Sequence, residues 1–179
     1  MNKIEIRKKI LKIRKTNNSK KDFINIKSII KILKKKKLKS KILGGYYPYN
    51  HEVDDIRILK EFERKKYKVL LPKIKKNFQM DFFSWSTKDP LLINKYGIPE
   101  PISNKVNYPD IILVPLVAYD NQLNRIGYGG GFYDRYLKRI KKKKKIITIG
   151  LAYSFQRIKK VPSNNFDIKL DFIITEKNK

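Results

Sequence analysis

The segment Gly127-Tyr128-Gly129-Gly130-Gly131-Phe132-Tyr133-Asp134-Arg135-Tyr136 holds four of the chain's eight glycines within five positions. Phe132, Tyr136 and Ile140 recur at every fourth residue, so a helix is expected to begin inside it. Glycines feeding a helix N-terminus let backbone N–H groups close on a phosphate with no Cβ in the way, and the helix dipole turns its positive end there. The alternative is a flexible turn, but concentrating glycine costs conformational entropy. Familiar loops do not fit. A Walker loop needs Gly-Lys-Ser/Thr at the helix entrance, and Gly131 is followed by Phe132. A dinucleotide fingerprint opening at Gly127 needs glycine at position 132 and an acidic residue about 20 residues later, yet no Asp or Glu lies between Asp134 and Asp167. Arg125 to Phe132 approaches an RNA-binding octapeptide, but three consecutive glycines would break the strand that motif occupies. The residues predict a phosphate loop of another type.

Asp134 falls in the first turn of that helix. It either complements the dipole or holds Mg²⁺ beside bound phosphates, with Asp167 or Asp171 as a second carboxylate. Other chemistries are closed. There is no cysteine, which removes disulfides, zinc thiolates and thiol nucleophiles. The single histidine, His51, leaves no histidine metal cluster and only one possible Ser-His-Asp arrangement.

The elements that must position these groups follow from hydrophobic spacing. Ile4, Ile10, Leu11 and Ile13 read as a first helix; after a break at Asn17-Asn18-Ser19, Phe23, Ile26, Ile29, Ile30 and Leu33 read as a second. Lys41 to Tyr47 reads as a buried strand, Glu52 to Lys66 as a helix, and Val69 to Leu71 as a short strand closed by Pro72. Phe78 to Pro109 is irregular, with short strands expected around Met80 to Trp85. Ile111 to Val117 is the strongest strand, followed by a loop from Asp120 to Gly131, a helix to about Lys144, and strands at Ile146 to Ala152 and Phe172 to Thr175. Apolar strands alternating with amphipathic helices predict an α/β sheet, mostly parallel and covered on both faces. The lysine runs 34–37 and 141–145 sit at helix C-termini, where cations suit the dipole.

The chain has 179 residues, 41% of them hydrophobic, enough for one domain with a core. No apolar run approaches the roughly 18 residues of a spanning helix, and no signal peptide is visible, so a soluble cytoplasmic protein is expected. The net charge of +28 suggests a non-enzymatic RNA- or DNA-binding protein as the rival reading. Only eight of its 44 cationic residues are arginine, however, and the lysines are spread over the whole chain. Arginine is the residue that supplies bidentate recognition, so no specific nucleic-acid partner is expected.

Pro109 to Pro115, then Ala118-Tyr119-Asp120, then Arg125 to Leu137 resemble the signature of the 5-formyltetrahydrofolate cyclo-ligases, also called 5,10-methenyltetrahydrofolate synthetases. Weaker motifs agree in order: Lys3-x-x-x-Arg7, Glu52-Val53-Asp54, Leu71-Pro72, Gly97 to Pro101, and Asn165-Phe166-Asp167 with Asp171. The resemblance implies a single domain over residues 1–179 with a three-layer α/β/α, Rossmann-like open sheet, acting as a monomer on a reduced folate with ATP and Mg²⁺. It implies that Lys3, Arg7, Arg125, Ile126, Gly127, Tyr128, Gly129, Gly130, Gly131, Phe132 and Tyr133 surround ATP. Asp134 and Asp167 would hold Mg²⁺. Folate would lie along Glu52, Asp54, Tyr96 and the loop from Tyr128 to Phe132, with Arg125, Tyr133 and Asp134 as the catalytic set. Many members carry Arg or Lys where this chain has Tyr128 and Gly130. On this reading Gly130→Val sets a Cβ against phosphate, and Asp134→Asn lowers turnover without lowering the melting temperature.

Overall fold

A computed structural model describes residues 1–17, 23–37 and 41–178. In chain order its elements are α1 (Lys3–Thr16), α2 (Ile26–Lys35), β1 (Ile42–Gly44), α3 (Ile56–Arg64), β2 (Lys68–Ile74), β3 (Met80–Ser84), β4 (Leu91–Ile93), β5 (Pro99–Pro101) and β6 (Val106–Asn107). Then come β7 (Ile111–Pro115), β8 (Ala118–Tyr119), β9 (Arg125–Ile126), α4 (Phe132–Lys141), β10 (Ile147–Leu151), a 3₁₀ turn (Ser154–Gln156) and β11 (Phe172–Ile174). Seven strands form one sheet in the order β11-β10-β7-β1-β2-β3-β6. The five strands from the β11 edge to β2 are parallel, and β3 and β6 extend the other edge through antiparallel pairings.

Period-two alternation along the strands feeds both faces. Ile111, Leu113 and Ile149 pack with Ile29 and Leu33 of α2 and with Leu59 and Phe62 of α3. Ile112 and Val114 pack on the other side with Tyr136, Leu137 and Ile140 of α4. The expected three-layer α/β/α arrangement, with a mostly parallel sheet at its centre, is what forms. α1 lies outside these layers, its Ile6 and Ile10 packed against Val117, Ala118, Ile126 and Val161.

Several expected boundaries move. The stripe of α1 that is buried is Ile6, Ile10 and Arg14, whereas Ile4 is exposed. Phe23 precedes α2 and is half exposed, under the Arg57 guanidinium. Asn17 caps α1, while Asn18 and Ser19 lie outside the described residues. The third helix starts at Ile56 and not Glu52, because Asp54 Oδ1 already caps the Ile56 N–H and residues 52–55 fold back under Tyr46 and Tyr49. β2 runs through Pro72. Beyond Leu70 it has lost β1 as a neighbour and pairs only with β3, so the missing N–H of proline breaks no ladder. The irregular stretch contains β3, β6 and the β4–β5 hairpin, and the loop before α4 contains β9, which pairs with β8. No helix among the described residues is long and apolar enough to cross a membrane.

Candidate active site

In open parallel sheets ligands bind outside the carboxyl ends of the strands, where the strand order reverses. Here the chain leaves β1 for β2 on one side and returns to lay β7 on the other. A cavity of about 910 Å³ opens at that switch point, lined by Tyr46 and Tyr47 after β1, Pro72 and Ile74 of β2, and Pro115 closing β7. Its wall includes the glycine segment from Arg125 to Arg135, Lys3 and Arg7 of α1, Glu52, Tyr96 and Asp167. Of the residues singled out in the sequence, Asp54 and Asp171 stand elsewhere. Asp54 is exposed and spends its carboxylate on capping α3. Asp171 accepts from the N–H and hydroxyl of Thr148 and fastens β10 to the segment before β11.

The glycine segment leaves β9 and enters α4 through Gly131, whose left-handed φ of 65° suits glycine. Gly129, with φ 108°, faces the Arg7 guanidinium, which would lie 3.5 Å from a Cβ there, and Arg7 Nε donates to the Gly127 carbonyl at 2.7 Å. A Cβ at Gly127 would meet nothing within 4 Å. At Gly130 it would strike the Phe132 ring at 2.5 Å, so Gly130→Val would first displace Phe132 instead of simply blocking a ligand. Positive charge beside Tyr128 and Gly130 comes from other elements. Arg14 donates to the Tyr128 hydroxyl at 2.9 Å, and Arg135 donates to the Gly130 and Phe78 carbonyls.

Asp134 is more than a first-turn acid. Its Oδ1 takes the Arg125 guanidinium at 2.8 Å and the Ile168 N–H at 3.0 Å, and Arg125 also donates to the Ile168 carbonyl. Lys3 Nζ reaches both oxygens of Asp167, at 2.6 and 2.8 Å. Among the described residues no group of three or more His, Cys, Asp or Glu could hold a metal ion. The donors here suit Mg²⁺ only in the form it usually takes beside nucleotides, with one or two carboxylates and the remaining oxygens from phosphate and water.

Away from the cations the wall is chiefly apolar and aromatic, with Asn94 and Glu100 paired among Tyr46, Met80, Ile98 and the Tyr96 ring, which meets Phe132 edge-on at 6.4 Å. Glu52 is buried in this part and accepts the Tyr49 N–H at 2.9 Å. Burial pushes its carboxyl up to about 7, opposed by that hydrogen bond and by the Arg14 charge. Beneath it Asp55 is fully buried, takes the Tyr46 N–H at 2.9 Å and keeps Oδ1 without a partner, and burial drives its pKa upward. Tyr133 lines the cavity, and its hydroxyl is also buried and unpartnered. Arg14 and Asp55 gave no motif in the sequence. The nearest signal was Gly45, where a Cβ would fall 2.7 Å from Asp55 Oδ2.

The sequence profile of the 5-formyltetrahydrofolate cyclo-ligase family matches residues 1–176. A 5-formyltetrahydrofolate cyclo-ligase of Haemophilus influenzae is 32% identical over 139 residues, covering 73% of each chain. The NMR structure of an Aquifex aeolicus 5,10-methenyltetrahydrofolate synthetase superposes with a TM-score of 0.78 at 34% identity, covering 99% of this chain and 91% of that one. A 5,10-methenyltetrahydrofolate synthetase of Mycoplasma pneumoniae gives 0.73 at 26% identity, covering 99% and 100%.

Proposed function

The chain belongs to the 5-formyltetrahydrofolate cyclo-ligase family, and from that premise we propose that it converts 5-formyltetrahydrofolate and ATP to 5,10-methenyltetrahydrofolate, ADP and phosphate with Mg²⁺. Residues 1–179 act as one domain and one cytoplasmic monomer. The observation that carries this reading is a single cavity in which the glycine loop, Lys3 and Arg7 share a wall with Tyr96 and the buried Glu52. One end suits a triphosphate and the other a planar, hydrogen-bonding heterocycle.

The amides of residues 127–131 and the cations Lys3 and Arg7 bind the phosphates, and Glu52 and Tyr96 orient the folate. The formyl oxygen takes the γ-phosphoryl group and ADP leaves, the lone pair of N10 closes on the activated formyl carbon, the N10 proton passes to water, and phosphate leaves with the oxygen. Phosphoryl transfer asks chiefly for positioning and charge neutralisation, which this wall supplies without histidine or cysteine. Mg²⁺, when bound beside Asp134 and Asp167, neutralises charge on the phosphate oxygens. Arg125 holds Asp134 in place, and Tyr133 lines the same wall with its unpaired hydroxyl buried behind it.

Purified protein mixed with 5-formyltetrahydrofolate and MgATP should develop the near-ultraviolet absorption band of the methenyl product. A folded sample that produces no band rejects the assignment. Gly127→Ala tests the loop itself: its Cβ meets nothing in the protein, so folding should persist while ATP affinity, measured by calorimetry, drops at least several-fold.

A further inference from the structure

We propose that Phe166, flanked by Lys138, is the platform on which the purine base of the nucleotide stacks. This rests on the reading that the glycine loop holds a triphosphate. Phe166 is 73% exposed and belongs to none of the three core clusters. It is nevertheless held in place. Its N–H donates to Asn164 Oδ1 at 2.9 Å, the Asp167 N–H donates to the Asn164 carbonyl at 3.1 Å, and the Asn164 N–H donates to Asp167 Oδ2 at 2.7 Å. Lys138 Nζ stands 5.9 Å from the ring centroid, and both residues line the cavity. A rigid turn that keeps an aromatic face in solvent has a ready use as a stacking surface.

The position fits a base and not the folate. Lys138 lies one helical turn beyond Asp134, on the same face of α4. Phe132 points away from that face, toward Phe78 and toward Tyr96, which lies in the part of the cavity assigned to folate. The turn is tied to the phosphate end at two points, through Lys3 to Asp167 and through Arg125 and Asp134 to Ile168. A nucleotide with its phosphates on the glycine loop therefore shares its cavity with Phe166 and with the Lys138 that flanks the ring.

The side chains beside the ring also set specificity. Adenine's exocyclic amino group needs an acceptor, but Asn164 Oδ1 is taken by Phe166, and Asp167, which Lys3 and Asn164 already contact, is the carboxylate assigned to Mg²⁺. Lys138 offers only donors. Stacking is indifferent to the base edge, so the platform should accept guanine nearly as well as adenine.

Calorimetry with ATP, GTP, inorganic tripolyphosphate and 5-formyltetrahydrofolate tests this on the wild type, Phe166→Ala and Phe166→Trp. The wild type should bind ATP and GTP within about fivefold of each other and tripolyphosphate about tenfold more weakly, as expected for one stacked base. Phe166→Ala should bring ATP down to the tripolyphosphate level, leave tripolyphosphate and folate unchanged, and be rescued by Phe166→Trp. Undiminished ATP binding by Phe166→Ala overturns the platform while leaving the loop intact. Loss of folate binding with ATP unchanged also overturns it, giving the ring to the other substrate. A wild type that binds neither ATP nor tripolyphosphate removes the platform together with the phosphate loop on which it rests.

Discussion

Glu52 shows how a single carboxyl couples the cavity to pH. Burial raises its pKa to about 7 from an ordinary value near 4.5, so the native state holds this proton more tightly than the unfolded chain does. The stability linked to that proton is complete below the ordinary value and is lost as pH rises through about 7. Glu52→Gln cannot ionise, and in thermal melts it should exceed the wild type at pH 8 and show no such gain at pH 5; equal differences at both would show that Glu52 does not carry the proton. Asp134 is held by a different kind of partner, a buried guanidinium. Its partner Arg125 is only 6% exposed, and removing the charge leaves that guanidinium uncompensated. The melting temperature should therefore fall in Asp134→Asn, contrary to what its place in a first helical turn suggests. About 1–3 kcal/mol is expected, against a few tenths to 1 kcal/mol for the helix dipole alone. Single-turnover rates measured below both melting points should fall as well, which separates the loss of function from the loss of fold.

At the scale of elements, α1 does two jobs from two faces. Ile6, Ile10 and Arg14 fix it to the β8–β9 side of the molecule, and Lys3 and Arg7 reach the cavity. Ile10→Ala should cost about 2–5 kcal/mol by opening a hole under the helix. Because the helix carries both cations, calorimetry should find ATP affinity lowered and folate affinity unchanged. The sequence told much about these elements and little about their joints. Ile111–Pro115 and Ile147–Leu151 were legible because parallel strands covered on both faces are apolar throughout. The glycine segment was legible because its composition is local. Arg14 was not, since among so many cations nothing distinguishes it until the fold brings Leu116 and Tyr128, 102 and 114 residues away, to its guanidinium. Glu52 and Asp54 looked alike for the same reason: their neighbours, not their spacing, bury one and leave the other in water. The strand through Pro72 was hidden because the proline rule holds only where both edges are paired, and the ladder to β1 has ended two residues earlier.

For the molecule as a whole, the net charge of +28 makes a field that attracts polyanions wherever the salt is low. Fluorescence anisotropy with two unrelated DNA duplexes should give matching affinities that fall by about two orders of magnitude or more between 50 and 200 mM salt. A sequence preference surviving at high salt would instead point to a built nucleic-acid site. The pairing of Lys3 with Asp167 spans 164 residues and has a consequence of a different order. During synthesis β1, β2 and β7 can meet while the ribosome still holds the tail, but the phosphate end waits for residues 164–168 to emerge and close on the first helix. Its nucleotide pocket is thus finished only when translation is nearly over, and a product truncated before residue 164 that has paired β1, β2, β7 and β10 would still have no complete place for ATP.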